Sequence, residues 1–167
     1  MSIHHSIINM QQSTAVLVRA AEDRDVAAIA AIVADFARQG HLLPRSVDNI
    51  RASLQHWVLA EADERIIGIG SLFPMGSGLI EIRSIAVLEE YRSLGAGANI
   101  VLALVDEAAR RGYASVFALT RAVPFFERLG FERTLKDHFP EKVWRDCVIC
   151  PLYHACDETA VVRRLKF

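Results

Sequence analysis

The segment that most constrains the fold runs from an apolar strand through a glycine-bearing turn into a helix. Residues 79–88 read LIEIRSIAVL, and the turn after them contains R-x-x-G-x-G at residues 92–97. Glycines let the backbone N–H groups of such a turn point inward, and the positive end of the following helix favours an anion. The segment therefore predicts a pyrophosphate cradle, although an ordinary strand-to-helix turn can have the same pattern. Its spacing matches neither G-x-G-x-x-G nor G-x-x-x-x-G-K-[ST], the usual nucleotide-binding motifs.

Apolar periodicity extends on both sides of this segment. Strands are predicted at residues 15–19, 56–61, 65–73, 79–88, 115–119 and 131–135. Helices are predicted from about residue 26 to Gly40, through Ile50 and Leu54 after a cap at Ser46, and at 98–111 and 124–129. Antiparallel hairpins precede β-α-β crossovers, so we expect an α/β (α+β) fold with a mixed, mostly antiparallel central sheet of about six to seven strands and helices on both faces.

Composition limits the number of domains and the class of partner. The chain has 167 residues, 52% of them hydrophobic, which is enough for one core. Its 19 basic and 20 acidic residues give a net charge of -1, so we expect no nucleic-acid partner. Without a long apolar run or a signal peptide, we also expect no membrane partner and a cytoplasmic location. We divide the chain into a flexible extension (1–14), one folded domain (15–136) and a tail (137–167).

The central segment resembles the GCN5-related N-acetyltransferases over residues 16–135. Their acetyl-CoA motif V-x-x-x-[YF]-[RQ]-x-x-G-x-G matches Val87, Tyr91, Arg92, Gly95 and Gly97. The resemblance implies the fold of that family and acetyl-CoA as cosubstrate, with no metal required for the chemistry. The backbone of Ile85, Ala86 and Val87 is then expected to bind the pantetheine arm and polarise the thioester carbonyl. The pyrophosphate is expected at Arg92, Ser93, Leu94, Gly95, Ala96, Gly97 and Ala98.

Two aromatic residues are expected along the same arm by this resemblance. They are Phe125 and Phe126, in the segment PFFERLGFE. Packing of either ring into the core is the alternative, because aromatic side chains dominate protein cores. Many family members have a tyrosine that protonates the departing thiolate where this chain has Phe126.

Three further segments are similar to the short, single-domain bacterial N-acetylglutamate synthases: GHLLPRS at 40–46, EIRSIAV at 81–87 and FALTR at 117–121. This similarity implies transfer to the α-amino group of L-glutamate, the first step of arginine biosynthesis. A dicarboxylate needs cationic partners, for which the planar guanidinium of arginine is well suited. Arg45 matches a substrate-binding arginine of these enzymes, and the other candidates are Arg83, Arg121 and Lys142. A solvated surface charge is the alternative for each.

The candidate general base is Glu81. Strand alternation predicts that Glu81, Arg83, Ile85 and Val87 share one face, and a carboxylate there could accept the amine proton directly or through water. An ion pair with Arg83 is the structural alternative. The synthase resemblance places a hydroxyl donor at Thr120, which could instead bond only to backbone.

The tail contains Cys147, Cys150, His154 and Cys156, ligand types that could bind zinc. Reduced cysteines that pack the tail are the preferred interpretation, and the site prediction includes no metal ligand. Its apolar end, AVVRRLKF, could supply the strand of a homodimer. Three alternatives to glutamate acetylation stay open: acetylation of another small amine, amino acid or protein N-terminus, a non-catalytic acetyl-CoA sensor, and a zinc-stabilised interaction protein.

Overall fold

The computed structural model describes residues 14–76, 78–139, 149 and 156–166. Its strands are β1 Leu17–Ala20, β2 Trp57–Ala62, β3 Arg65–Gly76, β4 Leu79–Val87, β5 Ser115–Thr120, β6 Glu132–Thr134 and β7 Thr159–Arg164. Its α-helices are α1 Val26–Arg38, α2 Val47–Ala52, α3 Ala96–Arg110 and α4 Val123–Arg128. Single turns of 3-10 helix occur at Asp23–Asp25, Leu54–His56 and Lys136–His138, and a longer one at Glu89–Leu94.

All seven strands of the described residues belong to one sheet, in the order β1-β2-β3-β4-β5-β7-β6. Neighbouring strands are antiparallel except β4 and β5, which run parallel. The mixed, mostly antiparallel sheet predicted from the sequence is therefore confirmed.

The position of β7 differs from what the sequence suggested. It lies within the segment assigned to the tail, and it pairs with β5 on one side and with β6 on the other. Both of its edges are occupied within its own chain, so the expectation that this segment could supply a dimer strand is wrong for this arrangement. Local periodicity cannot reveal this insertion, because the paired strands are distant in sequence.

Helices cover both faces of the sheet. On one face, α1 and α2 bury Ile29, Val33 and Ile50 against Leu59 and Ile69. On the other, α3 and α4 contribute Ile100, Leu104 and Phe126 to a larger cluster that includes Ile82 and Ala118. These apolar stripes are the reason for the helical spacing seen in the sequence, since each helix buries one side on the sheet.

Several ends of elements follow local sequence signals. The hydroxyl of Ser46 accepts a hydrogen bond from the Asn49 backbone N–H at 3.0 Å, which confirms the predicted cap of α2. Gly40 follows α1 with a φ of 77°, a conformation that glycine adopts at low cost. The helix α3 begins at Ala96 rather than at Ala98, because the left-handed residue before it is Gly95, with a φ of 74°.

Candidate functional site

The sheet opens between β4 and β5. These two strands pair only from Leu79 to Glu81 on β4, opposite Ser115 to Phe117 on β5. Beyond Glu81, no strand lies beside that edge of β4 in the described part of the chain. Backbone N–H and C=O groups along residues 82–87 on this edge therefore lack sheet partners, and an extended amide-containing ligand could hydrogen-bond to them.

A β-bulge interrupts β4 within this open stretch. The register passes from Ile69 opposite Ala86 to Ser71 opposite Arg83, so β4 has one residue more than β3. Ser84 has a φ of 58°, which is unusual for a residue other than glycine, and it is 9% exposed. A bulge of this kind redirects the side chains that follow it.

The bulge overturns the prediction that four alternating residues share one face. Glu81 is opposite Phe73 on β3, and the guanidinium of Arg83 lies 3.7 Å from the centre of the Phe73 ring, so these residues share a face. Ile85 and Val87 instead pack against the cluster formed by α3. Simple alternation fails here because the extra residue moves the side chains that follow the bulge to the opposite face of the strand.

The turn that follows β4 leads into the uncapped N-terminus of α3. Its residues form a 3-10 helix from Glu89 to Leu94, where Arg92 and Ser93 are exposed, and Gly95 then leads into α3. No side chain caps the N-terminus of α3, so its first N–H groups remain available to an anionic ligand. The predicted pyrophosphate position therefore lies next to the open edge of β4.

Phe125 and Phe126 occupy different environments. A Cβ built on Gly97 would lie 3.6 Å from Phe125 and 3.7 Å from Val87, so the partly exposed Phe125 ring flanks both the turn and the end of β4. Phe126 is 6% exposed and packs edge-on against Phe131 in the core. The geometry thus favours Phe125 as a wall of the cofactor cleft, whereas Phe126 has the core environment that was its alternative.

Glu81 lies at the last paired position before the strands separate, and it is 2% exposed. Its cross-strand neighbours are Phe73 on β3 and Phe117 on β5, and the Phe117 ring stacks on Phe139 with centroids 4.1 Å apart. The candidate base is therefore a buried carboxylate flanked by two aromatic residues at the apex of the cleft. These two neighbours were not identified from the sequence, because only the strand register brings them to Glu81.

Arg83 is held at two points. Its backbone C=O accepts a hydrogen bond from the Ser71 hydroxyl at 3.2 Å, and its guanidinium stacks on Phe73. The first contact fixes the backbone of Arg83 beside β3, and the second restricts the orientation of its side chain on the Glu81 face.

Arg45 lies in the loop between α1 and α2. Its Nε is buried, and no hydrogen-bond acceptor for that atom occurs among the residues that the structure describes. Buried N–H groups nearly always have a partner in native proteins, and a ligand oxygen is one group that could accept this hydrogen bond. A carboxylate is the acceptor that fits a guanidinium best.

Thr120 and Arg121 end β5. The Thr120 hydroxyl accepts a hydrogen bond from the Ala122 N–H at 2.8 Å and keeps its own proton to donate. The Nε of Arg121 donates to Asp157 at 2.6 Å. This hydrogen bond raises the pKa of Arg121 and lowers that of Asp157. Nothing in the local sequence signals this partner, because Asp157 lies far along the chain.

Not all of the remaining predicted residues are among those that the structure describes. Lys142, Cys147, Cys150 and His154 lie outside the described residues. The Sγ of Cys156 accepts a hydrogen bond from the Lys136 ammonium at 2.9 Å, and Cys156 forms no disulfide. Within the described ranges, no three His, Cys, Asp or Glu side chains are grouped to hold a metal ion. None of the helices among the described residues is long and apolar enough to cross a membrane.

These features together provide an open strand edge for an extended ligand, an uncapped helix N-terminus beside it for an anion, and a buried carboxylate with an arginine on the same face. Residues 27–131 match the family described as Acetyltransferase (GNAT) family. An uncharacterized N-acetyltransferase of Chlorobaculum tepidum is 39% identical over 148 residues, which cover 89% of this chain and 96% of that protein.

Two further similarities concern enzymes of named substrate class. An amino-acid acetyltransferase of Shewanella oneidensis is 28% identical over 127 residues, which cover 75% of this chain but only 28% of that protein. The structure of N-acetylglutamate synthase from Neisseria gonorrhoeae, complexed with coenzyme A and N-acetyl-glutamate, has a TM-score of 0.78 and 26% identity. That match covers 91% of this chain and 35% of the other, so this chain is similar to about a third of each longer protein.

Proposed function

This chain belongs to the GNAT acetyltransferase family, and from that premise we propose that it acetylates the α-amino group of L-glutamate. The proposed reaction is direct transfer from acetyl-CoA in a ternary complex, the step that opens arginine biosynthesis. The observation that carries the proposal is the placement of Glu81 and Arg83 on one face, at the point where β4 and β5 separate. Such a face offers a proton acceptor and a carboxylate partner side by side, which are the two groups that an α-amino acid requires.

The residues of the cleft fit acetyl-CoA. The cosubstrate supplies an acetyl thioester when bound. The free edge of β4 can hydrogen-bond the amides of the pantetheine arm, and Phe125 lines its path beside Gly97. The uncapped N-terminus of α3, together with Arg92, suits the pyrophosphate.

Glu81 has the environment of a general base. The amine of an amino acid is protonated at neutral pH and must lose a proton before it can attack a carbonyl. We propose that the Glu81 carboxylate accepts that proton, directly or through one water molecule. Backbone N–H groups near the bulge, at residues 85–87, would stabilise negative charge that develops on the carbonyl oxygen.

The proposed proton donor for the departing thiolate is the Thr120 hydroxyl. It already accepts a hydrogen bond from the Ala122 N–H, and that bond fixes its oxygen while leaving its proton free for a second partner. Phe126, in the position of the family tyrosine, has no proton to give and faces the core.

The choice of a dicarboxylate rests on the arginines. Arg83 is proposed to bind the α-carboxylate, since it lies two residues from Glu81 on the same face of the strand. Arg45, with its orphaned Nε, is proposed to bind the side-chain carboxylate. Arg121 and Lys142 stay candidates for the same pocket. Similarity to the N-acetylglutamate synthase of Neisseria gonorrhoeae supports this assignment.

The test is coenzyme A release over a panel of acceptors: glutamate, glutamine, aspartate, a polyamine and a peptide with a free N-terminus. We expect kcat/KM to be highest for glutamate and at least about tenfold lower for glutamine, because an arginine left without its carboxylate loses about 1.4 kcal/mol or more. A higher kcat/KM for a polyamine or a peptide would reject the acceptor that we propose. Tight acetyl-CoA binding without turnover of any acceptor would instead indicate a sensor.

A further inference from the structure

The Arg121–Asp157 pair links the end of β5 to the segment that precedes β7. We infer that Asp157 is a positioning residue, which orients the Arg121 guanidinium toward the loop that carries Arg45. The inference rests on the proposed function, because it concerns how the acceptor pocket binds an anionic substrate.

The geometry around Arg121 connects three segments. Its Nε donates to the Oδ1 of Asp157 at 2.6 Å, and its Nη1 lies 3.5 Å from the C=O of Gly40. Gly40 begins the loop that ends at Arg45 and Ser46. The guanidinium therefore lies between the tail on one side and the Arg45 loop on the other.

The hydrogen bond to Asp157 fixes the orientation of the Arg121 guanidinium as well as its position. A guanidinium is planar, so a hydrogen bond at Nε determines where its two Nη groups point. With Asp157 on the Nε side, an Nη group reaches the Gly40 side. Arg121 thus contacts the loop that also carries Arg45, and two arginines on one loop are the groups that a second substrate carboxylate would require.

The residue next to Asp157 is also hydrogen-bonded to the folded domain. Cys156 accepts a hydrogen bond from Lys136, so the segment before β7 is attached at two successive positions. The Arg121 hydrogen bond lowers the pKa of Asp157 below its ordinary value of 3.8 because it stabilises the charged carboxylate. The pair is nevertheless accessible, with side-chain exposures of 37% and 66%, and exposed ion pairs contribute little to folding stability. Its main effect is thus expected on substrate binding.

The test is the steady-state kinetics of Asp157→Asn, with glutamate and acetyl-CoA varied separately. We expect the KM for glutamate to rise about tenfold, with kcat and the KM for acetyl-CoA within about twofold of wild type. Asp157→Glu should restore most of the affinity, because it keeps the carboxylate. Arg121→Ala and the Arg121→Ala/Asp157→Asn double variant should have equal KM values, since the two residues act as one unit.

Glu127→Gln is the matched control. Glu127 accepts from the Nε of Arg133 at 2.9 Å in an exposed pair between α4 and β6, and its loss should leave both KM values unchanged. An unchanged KM for glutamate in Asp157→Asn would overturn the inference, and a lowered KM would show that Asp157 competes with substrate for Arg121. Equal losses in both KM values, together with a lower Tm, would indicate a merely structural role.

The proposed function is checked separately on the wild-type protein. If the wild type does not acetylate glutamate, the acceptor assignment fails, and the same variants are measured with the acceptor that the panel identifies. An unchanged KM for that acceptor in Asp157→Asn would then reject the positioning role independently.

Discussion

At the scale of single residues, burial separates the candidate site from the rest of the charged surface. Glu81 is 2% exposed, and among the carboxylates whose burial the structure describes only Asp25, at 4%, is similarly buried. Burying a carboxylate is costly unless it is hydrogen-bonded or paired, so a buried carboxylate is an uncommon feature. Its position at the apex of the cleft, between Phe73 and Phe117, is consistent with proton transfer in a site from which water is largely excluded.

Replacing Glu81 by glutamine tests this role. We expect kcat to fall by about 10² to 10⁴ while the Kd for acetyl-CoA stays within about twofold, because glutamine keeps the shape and cannot accept the amine proton. Coenzyme A release and calorimetric binding measure the two quantities. Glu132→Gln, on the exposed edge strand β6, is the control and should retain full activity. A normal kcat in Glu81→Gln would exclude Glu81 as the base.

Arg45→Ala tests the side-chain carboxylate site. We expect the KM for glutamate to rise by about tenfold to a hundredfold, since a charged hydrogen bond contributes about 1.5–3 kcal/mol, while the KM for glutamine changes less. The matched control is Arg51→Ala on α2, where an exposed arginine lies 3.8 Å from Asp48. If Arg45→Ala and Arg51→Ala have the same small effect, Arg45 does not contact the substrate.

At the scale of elements, the bulge in β4 organises the site. It places Glu81 and Arg83 on the face opposite α3, and Ile85 and Val87 on the α3 face. In the proposed reaction, the acceptor would therefore bind on the Glu81 face and the cofactor would lie toward the α3 face, with transfer across the free edge of the strand. Gly70 permits this packing, because a Cβ there would lie 2.6 Å from atoms of both Ile85 and Ile100.

Substitutions at Ser84 test the bulge. Glycine can adopt the left-handed conformation of Ser84 without the steric cost of about 1 kcal/mol that a serine has there, so we expect Ser84→Gly to have equal or higher stability and normal kinetics. Ser84→Val should lower the free energy of unfolding by about 1–3 kcal/mol and reduce kcat, because a β-branched residue disfavours that conformation and the strand would straighten. Urea unfolding and steady-state rates are the measurements.

Asp63→Val is the control for Ser84→Val. Asp63 has a φ of 52° in the exposed β2–β3 turn, so the same strain should lower stability there without changing kcat. If Ser84→Val retains the kcat of wild type, the bulge does not position the reacting groups.

Local signals account for the parts of the fold and site that the sequence predicted. Caps such as Ser46, terminating glycines such as Gly40 and apolar spacing depend on neighbouring residues, so they can be read along the chain. The bulge could not be predicted, because Ser84 gives no glycine signal for its left-handed backbone. The aromatic neighbours of Glu81 and the Arg121–Asp157 pair depend on strand pairing between distant segments, which no local pattern encodes.

At the scale of the whole molecule, a charge network joins three elements at the sheet edge far from the cleft. Arg19 on β1 donates to both oxygens of Asp25 at 2.8 and 2.9 Å, and to Glu61 on β2 at 2.7 Å. Asp25 also accepts from the Glu22 N–H in the capping box that leads into α1. The network attaches the first strand and the first helix to the sheet.

This network predicts a pH dependence of stability. The hydrogen bonds from Arg19 lower the pKa of Asp25 below its ordinary value of 3.8. As pH falls, the unfolded chain therefore binds this proton first, so the stabilisation is complete above about pH 5 and is lost as pH falls through 3.8 toward the lowered pKa. Asp25→Asn should lower the free energy of unfolding by about 1–3 kcal/mol at pH 7. It should also make that free energy less dependent on pH between about pH 5 and 3.

The measurement is the free energy of unfolding against pH for wild type and variant. Asp48→Asn is the control, because Asp48 is almost fully exposed and lies 3.8 Å from its arginine, and it should leave the curve unchanged. Parallel curves for wild type and Asp25→Asn would show that this carboxylate does not determine acid stability.

The insertion of β7 between β5 and β6 has a consequence for how the molecule assembles. Ser115 and Arg164 are direct partners although they lie about fifty residues apart, and this separation gives that side of the sheet a high contact order. Until β7 docks, β6 has no strand beside it, and the far edge of β5 presents unpaired backbone groups. Asp157 is two residues from the start of β7, so the docking that completes the sheet also brings Arg121 its partner. Formation of the proposed acceptor pocket would then be among the last events of folding. A folding intermediate without docked β7 would have a nearly native core but would bind the amino-acid substrate poorly.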